Sequence, residues 1–121
     1  MSMYDPDVWA VIRFTGADVP DGELYKILAG WHGGFADSDH WKINSGITQI
    51  EQQGDWYLIG GYSGSVYRCH KNAERTNGLT QSIFDRYQRG YAAQGRAVTM
   101  QIVTIDSIPF EIKHLADPVS S

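Results

Sequence analysis

Residues 56–71 read WYLIGGYSGSVYRCHK. Trp56-Tyr57-Leu58-Ile59 is aromatic and branched, a composition that fits a pleated, half-buried surface. Val66-Tyr67-Arg68-Cys69-His70 has the same character. Between them, Gly60, Gly61 and Gly64 interrupt the strand pattern. Such glycines mark a tight turn, a bulge or a close approach of another group to the backbone. The run therefore reads as strand, corner and strand. Turn geometry accounts for the glycines, but rigid strands also present binding loops at such corners. Exposed backbone N–H groups with the Ser63 and Ser65 hydroxyls suit phosphate oxygens. Arg68 and Lys71 supply charge, and Tyr62 or Tyr67 a stacking surface.

Upstream, residues 41–51 (WKINSGITQIE) read as a strand in which the apolar side chains change face after Ile47. Gly46 is the expected site of a bulge that causes the change. Residues 52–55 (QQGD) form the turn into Trp56. A simple hairpin register then places Asn44, Ser45 and Gly46 beside residues 60–65.

Residues 8–14 (VWAVIRF) are apolar except for Arg13, which implies a strand buried on both faces. Pro20-Asp21-Gly22 is a turn, and residues 24–31 return as its antiparallel partner. Residues 32–40 hold His32, Asp37, Asp39 and His40. These are metal-ligand types, but their spacing matches no metal site, so a solvated loop is expected and no metal. A polar, partly basic loop follows at 70–78. Leu79, Ile83, Phe84, Tyr87 and Tyr91 then recur at helical spacing. The helix spans 79–93, capped by Thr76, Asn77 or Thr80 and stopped at Gly95. Asp85 and Arg89 stand at i,i+4 for an ion pair. Residues 98–105 give a further strand, 108–112 an edge strand interrupted by Pro109, and 116–121 a loose tail. The expected fold is α+β: one domain over 1–121, with a mostly antiparallel sheet of about five to six strands and one main amphipathic helix.

The chain has 121 residues, 42% hydrophobic and 20% charged, which suffices for a core and argues against disorder. A net charge of −4 is at odds with wholesale binding of duplex DNA. The one cysteine, Cys69, permits no intrachain disulfide, as suits a reducing cytoplasm. The N-terminal residues are polar and acidic, without a signal pattern. No apolar run reaches membrane-spanning length. Residues 61–65 (GYSGS) lack the second glycine of a nucleophile elbow. Cys69 and His70 are neighbours, so a strand points them to opposite faces. No phosphate-binding Walker loop, HExxH or CxxC is present. Neither catalysis nor a cofactor is expected.

Residues 41–47 (WKINSGI) and 61–71 (GYSGSVYRCHK) resemble the Tad1-type anti-Thoeris family of small phage proteins. The resemblance covers roughly a quarter of the chain. It implies an oligomeric sponge in the host bacterial cytoplasm that sequesters cyclic ADP-ribose isomers or cyclic oligonucleotides without cleaving them. Such a ligand needs an aromatic platform, phosphate hydrogen bonds and a few cations. Tyr62, Tyr67, Phe84, Arg68, Lys71, Asn72, Arg75 and Arg86 have the right chemistry, together with Asn44, Ser45, Ser63 and Ser65. A domain this small is expected to enclose the ligand at a subunit interface. Two other readings stand beside this one. The acidic balance and aromatic wealth suit a protein-binding inhibitor of a host defence complex, such as an anti-CRISPR. A small enzyme would use Cys69 or a histidine.

Overall fold

The computed structural model describes residues 3–32 and 40–109. In chain order the strands are β1 (Met3–Tyr4), β2 (Val8–Thr15), β3 (Glu23–Trp31), β4 (His40–Ile43), β5 (Ile47–Gln53), β6 (Trp56–Gly61) and β7 (Val66–His70). The helix α1 (Gly78–Ala93) and β8 (Thr99–Val103) follow. The strands form two sheets, ordered β4-β3-β2-β8 and β1-β7-β6-β5. Every strand pairing is antiparallel except the two-residue parallel pair of β1 with β7.

The apolar run in β2 is explained by its place in the middle of three layers. Trp9 and Val11 join Tyr25, Ile27 and Ala29 of β3 against Ile50, Ile59, Tyr67 and Cys69 of the other sheet. On the opposite face, Ile12, Phe14 and Leu28 pack with Ile83 and Phe84 of α1 and with Met100. Side chains alternate along a strand. A strand covered on both faces therefore shows no polar alternation, and Arg13 is tolerated because it reaches Glu23 at 2.7 Å near the strand end.

The expected class, α+β with one main helix, is the class observed. The expected single sheet of about five to six strands is instead two four-stranded sheets, because residues 41–51 do not form one strand. β4 is the edge of one sheet and β5 the edge of the other. Asn44, Ser45 and Gly46 carry the chain between them, with Gly46 at φ +134°. The apolar side chains change face because the chain changes sheet. A register shift does occur, but between Ile47 and Gln49. The strand expected over 98–105 ends at Val103 and gives way to a 3-10 turn, Ile105–Ser107. Ile108 and Pro109 are not in a strand. The rest of the expected edge strand, the tail and residues 33–39 of the polar loop lie outside the described residues.

Asn77 caps α1 in a reciprocal capping box with Thr80, which satisfies N–H groups at the helix start. At the other end Gly95 takes φ +67°. The Arg96 N–H reaches the Tyr91 carbonyl at 3.0 Å, and the Gly95 N–H reaches Ala92 at 3.1 Å. This is a Schellman stop, and it fixes where Arg96 leaves the helix. The expected Asp85–Arg89 pair is not among the ion pairs of the described residues; Asp85 accepts from Gln81 Nε2 at 3.3 Å instead. No helix of the described residues is long and apolar enough to cross a membrane.

Candidate functional site

The glycine corner packs against the sheet-to-sheet crossover. The Tyr62 N–H donates to the Gly46 carbonyl at 3.2 Å, and the Ser63 N–H donates to Ser45 Oγ at 2.9 Å. Within the corner, Gly61 N–H donates to the Ser65 carbonyl at 3.2 Å and Gly64 N–H to the Gly61 carbonyl at 3.0 Å. These bonds overturn the expectation of a free nest of N–H groups for phosphate: the corner uses its own donors to lock itself to the crossover. The Ser45 hydroxyl accepts from Ser63 and keeps its own proton to donate. Tyr62 is 71% exposed. Its ring lies over Gly46, where an added Cβ would meet it at 2.8 Å.

Ser45 also lines a cavity of about 340 Å³ on the helix side of the central sheet, together with Lys26, Tyr91, Arg96 and Asp18. Lys26 reaches it because the register pairs Lys26 with Ile12, whose side chain belongs to the helix-facing core. The lysine is half-buried, with Nζ 5.5 Å from the centre of the Phe14 ring. Burial lowers its pKa. Among the described residues no carboxylate lies within ion-pair distance of it. Arg96 lies over Tyr91 at 5.8 Å and 3.9 Å from Asp18. Asp18 is shared, since its Oδ2 also accepts the Ala97 N–H at 2.7 Å. The cavity thus offers an ammonium with no ion-pair partner among the described residues, a partly neutralised guanidinium, a hydroxyl donor and an aromatic ring. Leu24, another wall residue, approaches Gly46 on the crossover, as Tyr62 does.

The other residues expected at the site are dispersed. Lys71 pairs with Asp55 at 3.1 Å. Arg68 pairs with Asp5 at 2.7 Å and covers Trp56 at 4.8 Å. Arg75 donates to the Asn72 carbonyl at 3.1 Å. Lys71, Asn72 and Arg75 follow the far end of β7 from Ser65, and a five-residue strand spans about 17 Å. They do not share a site with the corner. Arg86 is exposed on α1, on the helix side of the central sheet.

Three expectations fail on burial. Tyr67 is 2% exposed, with its ring 5.1 Å from that of Tyr4. Burial pushes its hydroxyl pKa up to about 12. Phe84 is buried between helix and sheet. Neither ring offers a face to a ligand. Asn44 is buried too, and its Oδ1 accepts the Ile27 N–H at 2.8 Å.

Sequence reasoning missed Lys26, Tyr91 as a cavity wall, and Arg96. Lys26 carries a readable signal, as the one charged residue in the otherwise apolar stretch 24–31 (LYKILAGW). Cys69 has no exposed surface. Burial raises its thiol pKa, with Asp5 and Glu74 adding to the effect. His70 Nδ1 accepts the Asn72 N–H at 3.1 Å. No group of three or more His, Cys, Asp or Glu side chains suited to a metal ion occurs among the described residues.

No family model, curated protein or solved structure matches this chain.

Proposed function

We propose that this protein is a non-catalytic binder that sequesters a small nucleotide signal, a cyclic ADP-ribose isomer or a cyclic oligonucleotide, as the anti-Thoeris proteins it resembles do. On this reading it is a phage counter-defence factor acting in the host bacterial cytoplasm. The observation that carries the proposal is Lys26: a half-buried cation on the wall of a cavity, with no carboxylate within ion-pair distance of it among the described residues. Burying an uncompensated charge is unfavourable. In this proposal an anionic ligand supplies a counter-charge, Ser45 and Arg96 bind its phosphate oxygens and Tyr91 meets its ring. The cavity's 340 Å³ is near the lower end of the usual range for ligand pockets, about 300–1,000 Å³. A second copy of the chain completes the enclosure in this proposal. The buried Cys69 thiol gives no support to the enzyme reading, since the thiolate is the nucleophile.

The test is to incubate the protein with cyclic ADP-ribose isomers and cyclic oligonucleotides, remove free ligand, denature, and identify what is released. Recovery of intact ligand in stoichiometric amount is expected. Degraded ligand would mean catalysis, and ligand left free in solution would sink the proposal. A stoichiometric host protein captured without any small molecule would favour the inhibitor reading.

A further inference from the structure

The Lys26 cavity is one end of a longer track. A second hollow, about 280 Å³, lies beside α1 and is walled by Trp41, Arg86, Tyr87 and Tyr91. A third, about 470 Å³, is walled by Tyr4, Trp31, His40, Trp41 and Lys42. The hollows share walls. Tyr91 lines the first and second, and Trp41 lines the second and third. The track crosses the edge of the central sheet at β4: Trp41 packs with the helix-side core, whereas Lys42 and His40, paired with Ala29 and Trp31, lie on the face toward the other sheet.

Aromatic and basic groups alternate along it. In the third hollow Trp31 and His40 are stacked, with centroids 5.3 Å apart and planes 12° from parallel. Tyr4 meets Trp31 edge-on at 6.2 Å, and Lys42 lies over Tyr4 at 5.3 Å. In the second, Trp41 and Tyr87 meet edge-on at 6.1 Å, with the exposed Arg86 beside them. In the first, Arg96 covers Tyr91 and Lys26 lies over Phe14. The walls carry Lys26, Lys42, Arg86 and Arg96 against Asp5 and Asp18. Asp5 is already paired with Arg68 and Asp18 with Arg96. The track is therefore net basic on a chain of net charge −4.

We infer that this track binds linear single-stranded nucleic acid, about three nucleotides long, with one base per hollow and the backbone phosphates near the four cations. Single strands are held in this way, by rings that stack any base and by a basic groove that follows the backbone. A duplex presents no free base faces, and the rest of the surface is too acidic to bind one through phosphates alone. This goes beyond the signal-sequestering proposal and shares only the Lys26 cavity with it.

Fluorescence anisotropy with labelled 12-nucleotide DNA and RNA single strands, a 12-base-pair duplex and a labelled mononucleotide tests the inference. The exposed residues Lys42 and Arg86 are replaced as Lys42→Glu and Arg86→Glu, with folding checked by circular dichroism. Each variant is expected to weaken single-strand binding at least tenfold. The salt slope of the wild type should lessen by about 0.7 for each cation removed. The DNA and RNA arms decide whether the 2′-hydroxyl is read. Single-strand binding indifferent to both substitutions, a duplex bound as tightly as a single strand, or no single-strand binding would each overturn it. In the last case, mononucleotide binding by the same samples would leave the Lys26 proposal standing.

Discussion

Asn44 pairs with Ile27 twice. Its backbone N–H donates to the Ile27 carbonyl at 3.1 Å, and its side-chain Oδ1 accepts the Ile27 N–H at 2.8 Å. The side chain thus prolongs the ladder between β4 and β3 by one rung after the backbone has turned toward the other sheet. Asn44→Ala leaves a buried N–H on the central strand unsatisfied, a cost of about 1–3 kcal/mol. Urea denaturation should show a lower midpoint with an unchanged slope. A midpoint equal to wild type would mean that the rung contributes nothing.

The neighbouring glycines Gly60 and Gly61 should respond differently to alanine. A Cβ on Gly61 would meet the Gly46 carbonyl oxygen at 2.8 Å and Asn44 Nδ2 at 2.9 Å. The carbonyl belongs to the crossover and cannot swing aside. A Cβ on Gly60 would meet the Gln49 side chain, nearest at 3.0 Å, and that side chain is exposed and free to move. Gly61→Ala is expected to destabilise by about 1–3 kcal/mol, as overpacking does, and Gly60→Ala by less than about 1 kcal/mol. Equal melting temperatures for the two variants would contradict the close fit of corner to crossover.

Tyr67 sets an alkaline limit on stability. Its hydroxyl has a pKa of about 12 in the folded chain against 10 when exposed. The unfolded chain therefore loses this proton first as pH rises. The contribution of Tyr67 is fully present below pH 10 and is lost progressively between pH 10 and 12. Burial raises Tyr25 and Tyr57 in the same direction. In Tyr67→Phe, stability should fall less steeply over that window than in wild type. Identical pH profiles for the two proteins would show that Tyr67 is not held neutral.

Lys26 should separate binding from stability. Its folded pKa lies below 10.5 because burial opposes the charge. The cost is present at neutral pH and is relieved as pH rises from the lowered pKa to 10.5, where the unfolded chain binds more protons than the folded one. Lys26→Met keeps an unbranched apolar stem and removes the charge. It should be as stable as wild type at pH 7, or more so, as is common where a binding site holds a group for function. A clear drop in melting temperature would make Lys26 a structural residue.

Much of the architecture was legible because burial and turn chemistry are local. VWAVIRF declared a strand covered on both faces, and α1 announced itself through Leu79, Ile83 and Phe84 with Asn77 and Gly95 at its ends. The two-sheet arrangement was not legible. In sequence, a chain that changes sheet at Asn44–Gly46 and one that bulges there show the same change of apolar face. The proximity of Ser45 to Tyr62 and Ser63 followed from the simple hairpin. The fate of single aromatics did not: Tyr62 and Tyr67 are alike as residues, yet one is 71% exposed and the other 2%. Tyr67 lies on the face of β7 that meets the other sheet, whereas Tyr62 lies in the turn after β6. Lys26 was hidden for the converse reason. A lysine in an apolar strand reads as a stem lying along the core with its head in water, and only the packing of Phe14, Tyr91 and Arg96 around it shows a cavity.

Equilibrium dialysis of a cyclic ADP-ribose isomer and a cyclic oligonucleotide against wild type and Lys26→Met, followed by chromatography of the ligand, bears most directly on the proposed function. Retention of at least one intact ligand by wild type, with retention reduced at least tenfold in a folded Lys26→Met, is the expected result. Equal retention by both proteins, or none by wild type, would contradict it.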